Sequence, residues 1–423
     1  MSDATTNPAN ASYRQLFANP RVAAVTFLAF ASGLPLALTS GTLQAWLATA
    51  GVDIRTIGVF SLVGLPYTLK FLWAPVMDRF VPPWLGRRRG WMLLTQLALA
   101  GGIFAMSLLD PPRHILLLGA LAFLVAFLSA SQDVVFDAYR TDVLPARERG
   151  IGAAVSVFGY RIAMLTSGAL ALVLSDHIGW SDTYLLMAAL MGTSLFATLA
   201  APDPSSPAAP PPSFRAAVVE PFREFIERPG ALALVALIVL YKLGDAFAGT
   251  LTTAFLIQAL GFTATDVGAI NKGMGLVATL AGALYGGMLL ARIGLYRALL
   301  AFGLLQAVTN LAFMALALIG RDYAAMIAAV ALENLAGGMG TAAFVALLMA
   351  LCDRRYTATQ YALLSALASL GRVFVGPPAG VTAVAVGWPA FFALTALIAL
   401  PGLVVLARLR HPVEAVDRDA RGR

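Results

Sequence analysis

The sequence predicts an all-α membrane protein of twelve transmembrane helices arranged in two halves of six. Three observations carry this. Of 423 residues, 59% are hydrophobic and only 12% charged, with a mean hydropathy of +0.80; soluble domains carry about 25% charged residues, so this chain has too little polar side chain to coat a water-facing surface. The apolar residues fall in runs of about 20, the length that crosses a bilayer, rather than in amphipathic stripes. A proline-rich break then interrupts the apolar runs halfway along the chain.

The predicted spans lie near 22–49, 56–77, 91–109, 115–139, 150–175, 181–200, 231–259, 266–290, 297–318, 323–350, 357–385 and 388–408. Several connections are so short that neighbouring helices must be antiparallel hairpins. If the N-terminus is cytoplasmic, 21 of the 29 basic residues fall in cytoplasmic tails and loops and three, Arg55, Arg113 and Arg321, fall outside. Basic residues concentrate on the cytoplasmic side of membrane proteins, so both termini are expected inside. The same distribution explains the net charge of +7 and pI near 9.7 without a nucleic-acid partner, because the basic residues form no single patch. One cysteine, Cys352, excludes an intrachain disulfide. His114, His177 and His411 fall at helix ends or loops, which argues against metal sites and histidine proton relays. The N-terminus has no basic region before the first span, so that span is expected to be an uncleaved anchor.

The break contains Pro202, Pro204, Pro207, Pro210, Pro211 and Pro212. Proline has no amide proton, and such a run neither spans lipid nor holds a helix. After it, Phe214, Val218, Phe222, Phe225 and Ile226 recur at helical spacing with Arg215, Arg223 and Arg228 between them, which predicts a short amphipathic helix on the inner leaflet. The chain therefore divides into an N-terminal tail (1–21), a first half (22–200), a linker (201–230), a second half (231–408) and a C-terminal tail (409–423). Six spans, a linker and six spans is the layout of the major facilitator fold.

The halves echo each other. Asp78-Arg79 and Gly86-Arg87-Arg88-Arg89 follow the second span; Gly286-Gly287, Arg292, Gly294 and Arg297 follow the eighth. Both resemble the facilitator signature of glycine, an acid–base pair, then glycine and arginines, although Ala74 stands where the leading glycine is expected and the second copy lacks the acid. Two readings are open, a positive-inside signal or a cytoplasmic gate built on Asp78, Arg79 and Arg87.

Charges inside a span cost at least about 2.5–3.5 kcal/mol each at the helix centre, so they mark function or pairing. Here they are Lys70, Asp133, Asp137, Arg161, Lys242, Asp245, Lys272, Glu333 and Arg372, and they include all three lysines of the protein. Ser129, Asp133 and Asp137 are spaced by four and Arg140 follows by three, which places them on one helix face beside Gln132. In a facilitator the first, fourth, seventh and tenth spans line the cavity. Their polar residues here are Ser32, Thr39, Ser40 and Gln44, the fourth-span set, Lys242 with Asp245, and Glu333 with Asn334.

A carboxylate in such a cavity is suited to taking up and releasing a proton, because its charged form loses hydration. Asp133 is the first candidate and Glu333 the second; the competing reading makes Asp133 a permanent partner of a lysine or arginine. Asp137, nearer the cytoplasmic end, is grouped with Arg140 and Asp142 in an inner gate. Lys242 and Asp245 either face the substrate or neutralise each other. Five intramembrane cations against four acids leave a slight positive surplus, which suits an anionic substrate held by Gln44, Ser129, Gln132, Lys242, Asp245, Lys272, Asn334 and Arg372. Trp46, Tyr67, Trp73 and Tyr160 serve either to stack on sugar rings or to pack.

Four stretches resemble the muropeptide permease (AmpG) family: SGLPLALTSGTLQAW (Ser32–Trp46), GVFSLVGLPYTLKFLWAPVMDR (Gly58–Arg79), GRRRGW (Gly86–Trp91) and SASQDVVFDAYRTDVLPARERGIGAAVSVFGYR (Ser129–Arg161). The second half resembles the family only loosely. The resemblance implies a proton-driven importer of N-acetylglucosaminyl-1,6-anhydro-N-acetylmuramyl peptides, in the bacterial inner membrane, with Asp133 as the essential fourth-span carboxylate. It implies no cofactor beyond the proton gradient; the partners would be an anionic glycopeptide, protons and the lipid bilayer, and the chain would be a monomer. The rival reading is a facilitator for another solute, such as a sugar, an acetyl-CoA-like molecule or a drug. A membrane enzyme is disfavoured because the short loops carry no acidic or histidine-rich catalytic cluster.

Overall fold

The computed structural model describes residues 19–145, 149–203, 220–228, 230–352 and 357–421, and every regular element among them is helical. Ten of these helices are long and apolar enough to cross a bilayer. Helix is the form that lipid imposes on a single apolar segment, since no water is present to satisfy its N–H and C=O groups. Local capping sets several starts. The Asn19 side chain accepts from the Arg21 amide at 3.0 Å, the Asp322 side chain accepts from the Ala325 amide at 2.8 Å, and Thr263 with Asp266 forms a capping box. Phe27, Leu116 and Leu232 are among many large apolar side chains left on the outer surface, the exterior that a bilayer requires.

Two regions depart from simple rods. Residues 54–79 form three short helices, Ile54–Val59, Leu65–Leu69 and Ala74–Arg79, joined by the 3₁₀ turns Phe60–Gly64 and Lys70–Leu72. Pro66 and Pro75 lack the amide protons that a continuous helix would use. The segment still runs alongside helix Pro111–Val143, with Phe60 facing Gly119 and the Trp73 indole N–H donating to Ser131 Oγ at 3.0 Å.

The second departure is the helical stretch Val155–Ala200, which folds back on itself at Gly179 (φ 82, ψ 165), a conformation that favours glycine. Contacts with the first helix trace the turn: Gly159 packs on Thr26 and Ala29, Thr42 donates to the Ser167 carbonyl, Trp180 donates to Thr49, and then Tyr184 donates back to the Leu38 carbonyl. The Leu38 carbonyl needs that donor because the first helix is itself broken, into Pro20–Leu38 and Gly41–Thr49.

Helices before the linker pack on one another, and so do those after it. The two groups meet at the end opposite the termini. There Ile54–Val59 lies on Gly376–Val386, and Leu165–Leu170 lies on Val267–Met274. Gln258 Nε2 donates to the carbonyls of Ala48 (3.0 Å) and Val52 (2.9 Å), Ser61 Oγ donates to the Val373 carbonyl (2.8 Å), and the Thr265 amide donates to Asp176 (2.6 Å). Glycines allow backbone to touch backbone. A Cβ on Gly58 would collide with the Gly376 carbonyl, and one on Gly268 would sit 2.7 Å from the Ala169 carbonyl. Helices Pro111–Val143, Arg149–Met164 and Tyr323–Ala350 make no comparable packing across the divide among the described residues, so the halves are apart toward the termini.

The prolines from Pro204 to Pro212, and Phe214, Arg215 and Val218, lie outside the described residues. Helix Glu220–Ile226 is present; Phe225 is buried in the core of the second half, and Ile226 is exposed. The Arg228 guanidinium bonds both oxygens of Glu224 (3.0 and 2.7 Å) and the Leu351 carbonyl (2.6 Å). The C-terminal segment, read from sequence as a tail, is a helix, Arg410–Arg421. Val413 is buried, and Asp417 accepts from the Leu295 amide (3.1 Å) at the positive end of helix Leu295–Ile319.

The glycine contacts generate a prediction. Gly58→Val is expected to destabilise the protein by about 1–3 kcal/mol through overpacking, whereas Gly101→Val, which meets nothing within 4 Å, should have little effect. Thermal unfolding of both variants in detergent checks this.

Candidate functional site

Helix Pro111–Val143 presents Ser129, Asp133 and Asp137 along one face, toward the first helix and the 54–79 segment. Ser32 Oγ donates to Asp133 Oδ1 in a short hydrogen bond, and Lys70 Nζ stands 3.6 Å from Oδ2. Three separate spans therefore converge on one carboxylate. Lys70 occupies the junction between a short helix and a 3₁₀ turn, where the irregular backbone aims it inward. The buried Tyr67 hydroxyl lies among Ser129, Thr39 and the Asp133 carboxylate. Gln132 is buried beside them, with no hydrogen-bond partner for Oε1 among the described residues.

Below Asp133, a cavity of ≈ 180 Å³ is lined by Asp137, Arg140, Ser156, Tyr160 and Arg161, among others. Asp137 pairs with Arg140 at 3.1 Å. Asp142 does not join them; it pairs with Arg88 at 2.9 Å, with only 7% and 9% of the two side chains exposed. Arg89 bonds Asp203 (3.0 Å) and the carbonyls of Thr198 (3.1 Å) and Leu199 (2.7 Å). These two arginines fasten helix Gly86–Ser107 to its neighbours inside the first half. Of the other gate candidates, Arg79 is exposed and Arg87 half-buried, while the Asp78 side chain lies outside the described residues.

The second half holds its own network. Lys242 interrupts the seventh span between helices Ala231–Tyr241 and Leu243–Ala254, and its Nζ donates to Asp245 (3.1 Å) and to Gln306 Oε1 (2.9 Å). Lys242 and Asp245 are thus an ion pair, and both side chains keep some exposure. Glu333 accepts from Asn334 Nδ2 (2.9 Å), and Thr279 donates to Asn334 Oδ1 (3.0 Å). Glu333 makes no ion pair among the described residues, although Lys242 and Lys272 are within electrostatic reach. Lys272 donates to Thr253 (2.9 Å) and packs against Gly41, at the break in the first helix. It thus crosses between the halves. Gln44 is half-buried on the same short helix, Gly41–Thr49.

Arg372 belongs to the second half, yet its guanidinium is within electrostatic reach of Tyr160 in the first. Trp46 is buried against Trp180 (6.0 Å) and Tyr184 (4.7 Å), so it packs rather than lining the cavity; Tyr160 lines it. Cys352 donates to the Leu348 carbonyl at 3.1 Å, and burial pushes its thiol pKa up, opposed by Arg228. That is the environment of an inert thiol.

Ser156 and Gln306 escaped the sequence reading. Gln306 and Asn310 repeat the four-residue polar spacing of the Ser129 face within an apolar span, a signal that was available. Ser156 had no such signal.

The buried Arg88–Asp142 pair supports a test of clip against gate. Removing one partner of a buried pair costs about 3–5 kcal/mol, whereas replacing both by apolar residues is often near neutral. Arg88→Met is expected to lower thermal stability strongly, and Arg88→Met with Asp142→Leu to restore most of it.

A model of the Major Facilitator Superfamily matches residues 25–319 and 234–423. The anhydromuropeptide permease of Escherichia coli is 54% identical over 406 residues, 96% of this chain and 83% of that protein. A putative transporter AmpG 4 of Rickettsia conorii is 34% identical over 409 residues, 94% of this chain and 99% of the other. Both alignments extend through the second half, where the family likeness had looked loose. Among solved structures, a POT family transporter in complex with a thioalcohol-conjugated peptide superposes with a TM-score of 0.72 at 13% identity, covering 93% of this chain and 96% of that one. A D-xylose–proton symporter superposes at 0.69 and 11% identity, covering 92% and 97%. At such identities these two structures speak for the fold alone.

Proposed function

Because the chain belongs to the major facilitator superfamily, and within it to the family of anhydromuropeptide permeases, we propose that it imports anhydro-muropeptides into the cytoplasm by proton symport. The relative that is 54% identical carries the substrate class. The observation that carries the coupling is the Asp133 carboxylate, held at once by Ser32 and Lys70.

The architecture completing this reading is twelve spans in two halves. Ten long helices, the Gly179 turn within one of them and the segmented 54–79 stretch support that number. The charge distribution supports cytoplasmic termini, and the permease relative supports a bacterial inner membrane. With the groups of helices joined at the far end, this reading makes the state an inward-open one, and a monomer is its working assumption.

A proton on Asp133 cancels its charge. Lys70 loses its counter-ion, and the tie among the first, second and fourth spans is altered in the half that must move. Charges in poorly solvated surroundings are strongly coupled, so one proton arriving or leaving changes the balance between two packings. Glu333, without an ion pair among the described residues, is the second proton-carrying candidate, in the half that Lys272 joins to the first helix. The Asp137–Arg140 pair stands toward the cytoplasmic mouth as part of the inner gate.

The test is uptake of labelled anhydro-muropeptide into proteoliposomes under an imposed inward proton gradient. Wild type should accumulate substrate. Asp133→Asn should abolish accumulation while leaving exchange of substrate between equal pools. Retained accumulation in the variant would move the coupling to Glu333, and absence of wild-type uptake would reject the substrate class in favour of another solute.

A further inference from the structure

Asp133 is nearly enclosed, with 13% of its side chain exposed, whereas Asp137, one turn nearer the cytoplasmic end of the same helix, is 56% exposed. Both line the cavity of ≈ 180 Å³. Every described residue of its lining belongs to three helices of the first half, Pro20–Leu38, Pro111–Val143 and Arg149–Met164. The two acids have cations opposite them, Lys70 at 3.6 Å and Arg140 at 3.1 Å. Arg161 lines the same cavity and makes no ion pair among the described residues; its one hydrogen bond there is to the sulfur of Met164, at 3.7 Å. The Ser156 side chain is 3% exposed, and its hydroxyl has no hydrogen-bond partner among the described residues. An unpaired guanidinium at membrane depth and an unpaired buried hydroxyl are both costly unless something hydrates them. A cavity of this volume has room for several waters, and a charged lining keeps water where an apolar one would stay dry.

We propose that this cavity is a water-filled exit for the Asp133 proton, and that Arg161 and Ser156 are positioning residues that hold and orient its water. This deepens the reading of Asp133 as the proton site and rests on it. Around Asp133 stand Ser32, Lys70 and Tyr67 on one side and Asp137, Arg140, Tyr160 and Arg161 on the other; only the second group leads to an exposed carboxylate. The proton passes from the Asp133 carboxyl to a cavity water, travels as hydronium charge along neighbouring waters, and reaches bulk water at the Asp137 end. Asp133 is left as the anion facing Lys70. Guanidinium donates hydrogen bonds and accepts none, so waters at Arg161 turn their oxygens toward it and their protons away. The Ser156 hydroxyl both donates and accepts, which lets it link two such waters. Because the lining comes from one half, the proton and a molecule carried between the halves leave by different ways.

The experiment compares two rates in proteoliposomes with labelled anhydro-muropeptide. Gradient-driven accumulation requires the proton to leave in every cycle; exchange between equal pools does not. Ser156→Leu fills the cavity, and Arg161→Met removes the group that keeps it wet. Each should slow accumulation by about tenfold or more, the loss of one charge-assisted link, while exchange changes less than about threefold. The ratio of accumulation rates in light and heavy water should rise in both variants, because proton movement then limits the cycle. Arg161→Lys, which still only donates, should recover part of the rate, and Ser156→Ala, which leaves the cavity open, should cost less than Ser156→Leu. Wild-type accumulation by both Ser156→Leu and Arg161→Met overturns the exit and leaves proton symport standing. Parallel loss of exchange and accumulation in both also overturns it, and marks the cavity as part of the substrate's path or of the packing. Slowed accumulation with an unchanged isotope ratio overturns it too. Wild type that accumulates nothing under the gradient rejects the symport reading and the exit with it.

Discussion

A charge within the spans of this protein has to find its counterpart in the protein or in what the protein binds, because lipid supplies none. That constraint shapes more of the structure than any hydrophobic contact does, since an apolar side chain is as well solvated by acyl chains as by another helix. Asp133 is held by groups from two other spans, Lys242 by Asp245 and Gln306, and Arg88 by Asp142. Each of these links fixes the rotation of a helix that hydropathy alone leaves free to turn. The irregular backbone follows the same logic. Lys70 and Lys242, each facing a carboxylate, sit at the irregularities of the 54–79 stretch and of the helix broken at Lys242.

The linked groups also differ in kind. Arg88 and Arg89 tie helices within one half and are enclosed by them, so they hold that half as a rigid body. Lys272 reaches from the second half to Gly41 in the first. A carrier that works by rocking needs both kinds: bonds that never change partner, and groups whose surroundings change with every cycle.

Much of this was legible in the sequence. Span positions follow from runs of apolar residues, and the observed helix Tyr323–Ala350 coincides with its predicted bounds. Ser129, Asp133 and Asp137 declare a face by their spacing, and the face does turn inward. What spacing cannot reveal is partnership between distant segments. Asp142 lies close in sequence to Arg140 but pairs with Arg88, 54 residues away. Ser156 was obscure for a related reason: a lone small hydroxyl in helix Arg149–Met164 does not mark which side meets the cavity. Helix Arg410–Arg421 was read as a tail because its residues are polar, yet its few apolar side chains and Asp417 dock on the second half.

The contact that joins the halves brings main chain against main chain at Gly58 on Gly376 and Gly268 on Ala169, within an apolar core that both groups of helices share. The backbones approach so closely at those points only because no side chain stands between them, so a single methyl group added there would force the joint apart, far from the substrate and without touching its chemistry.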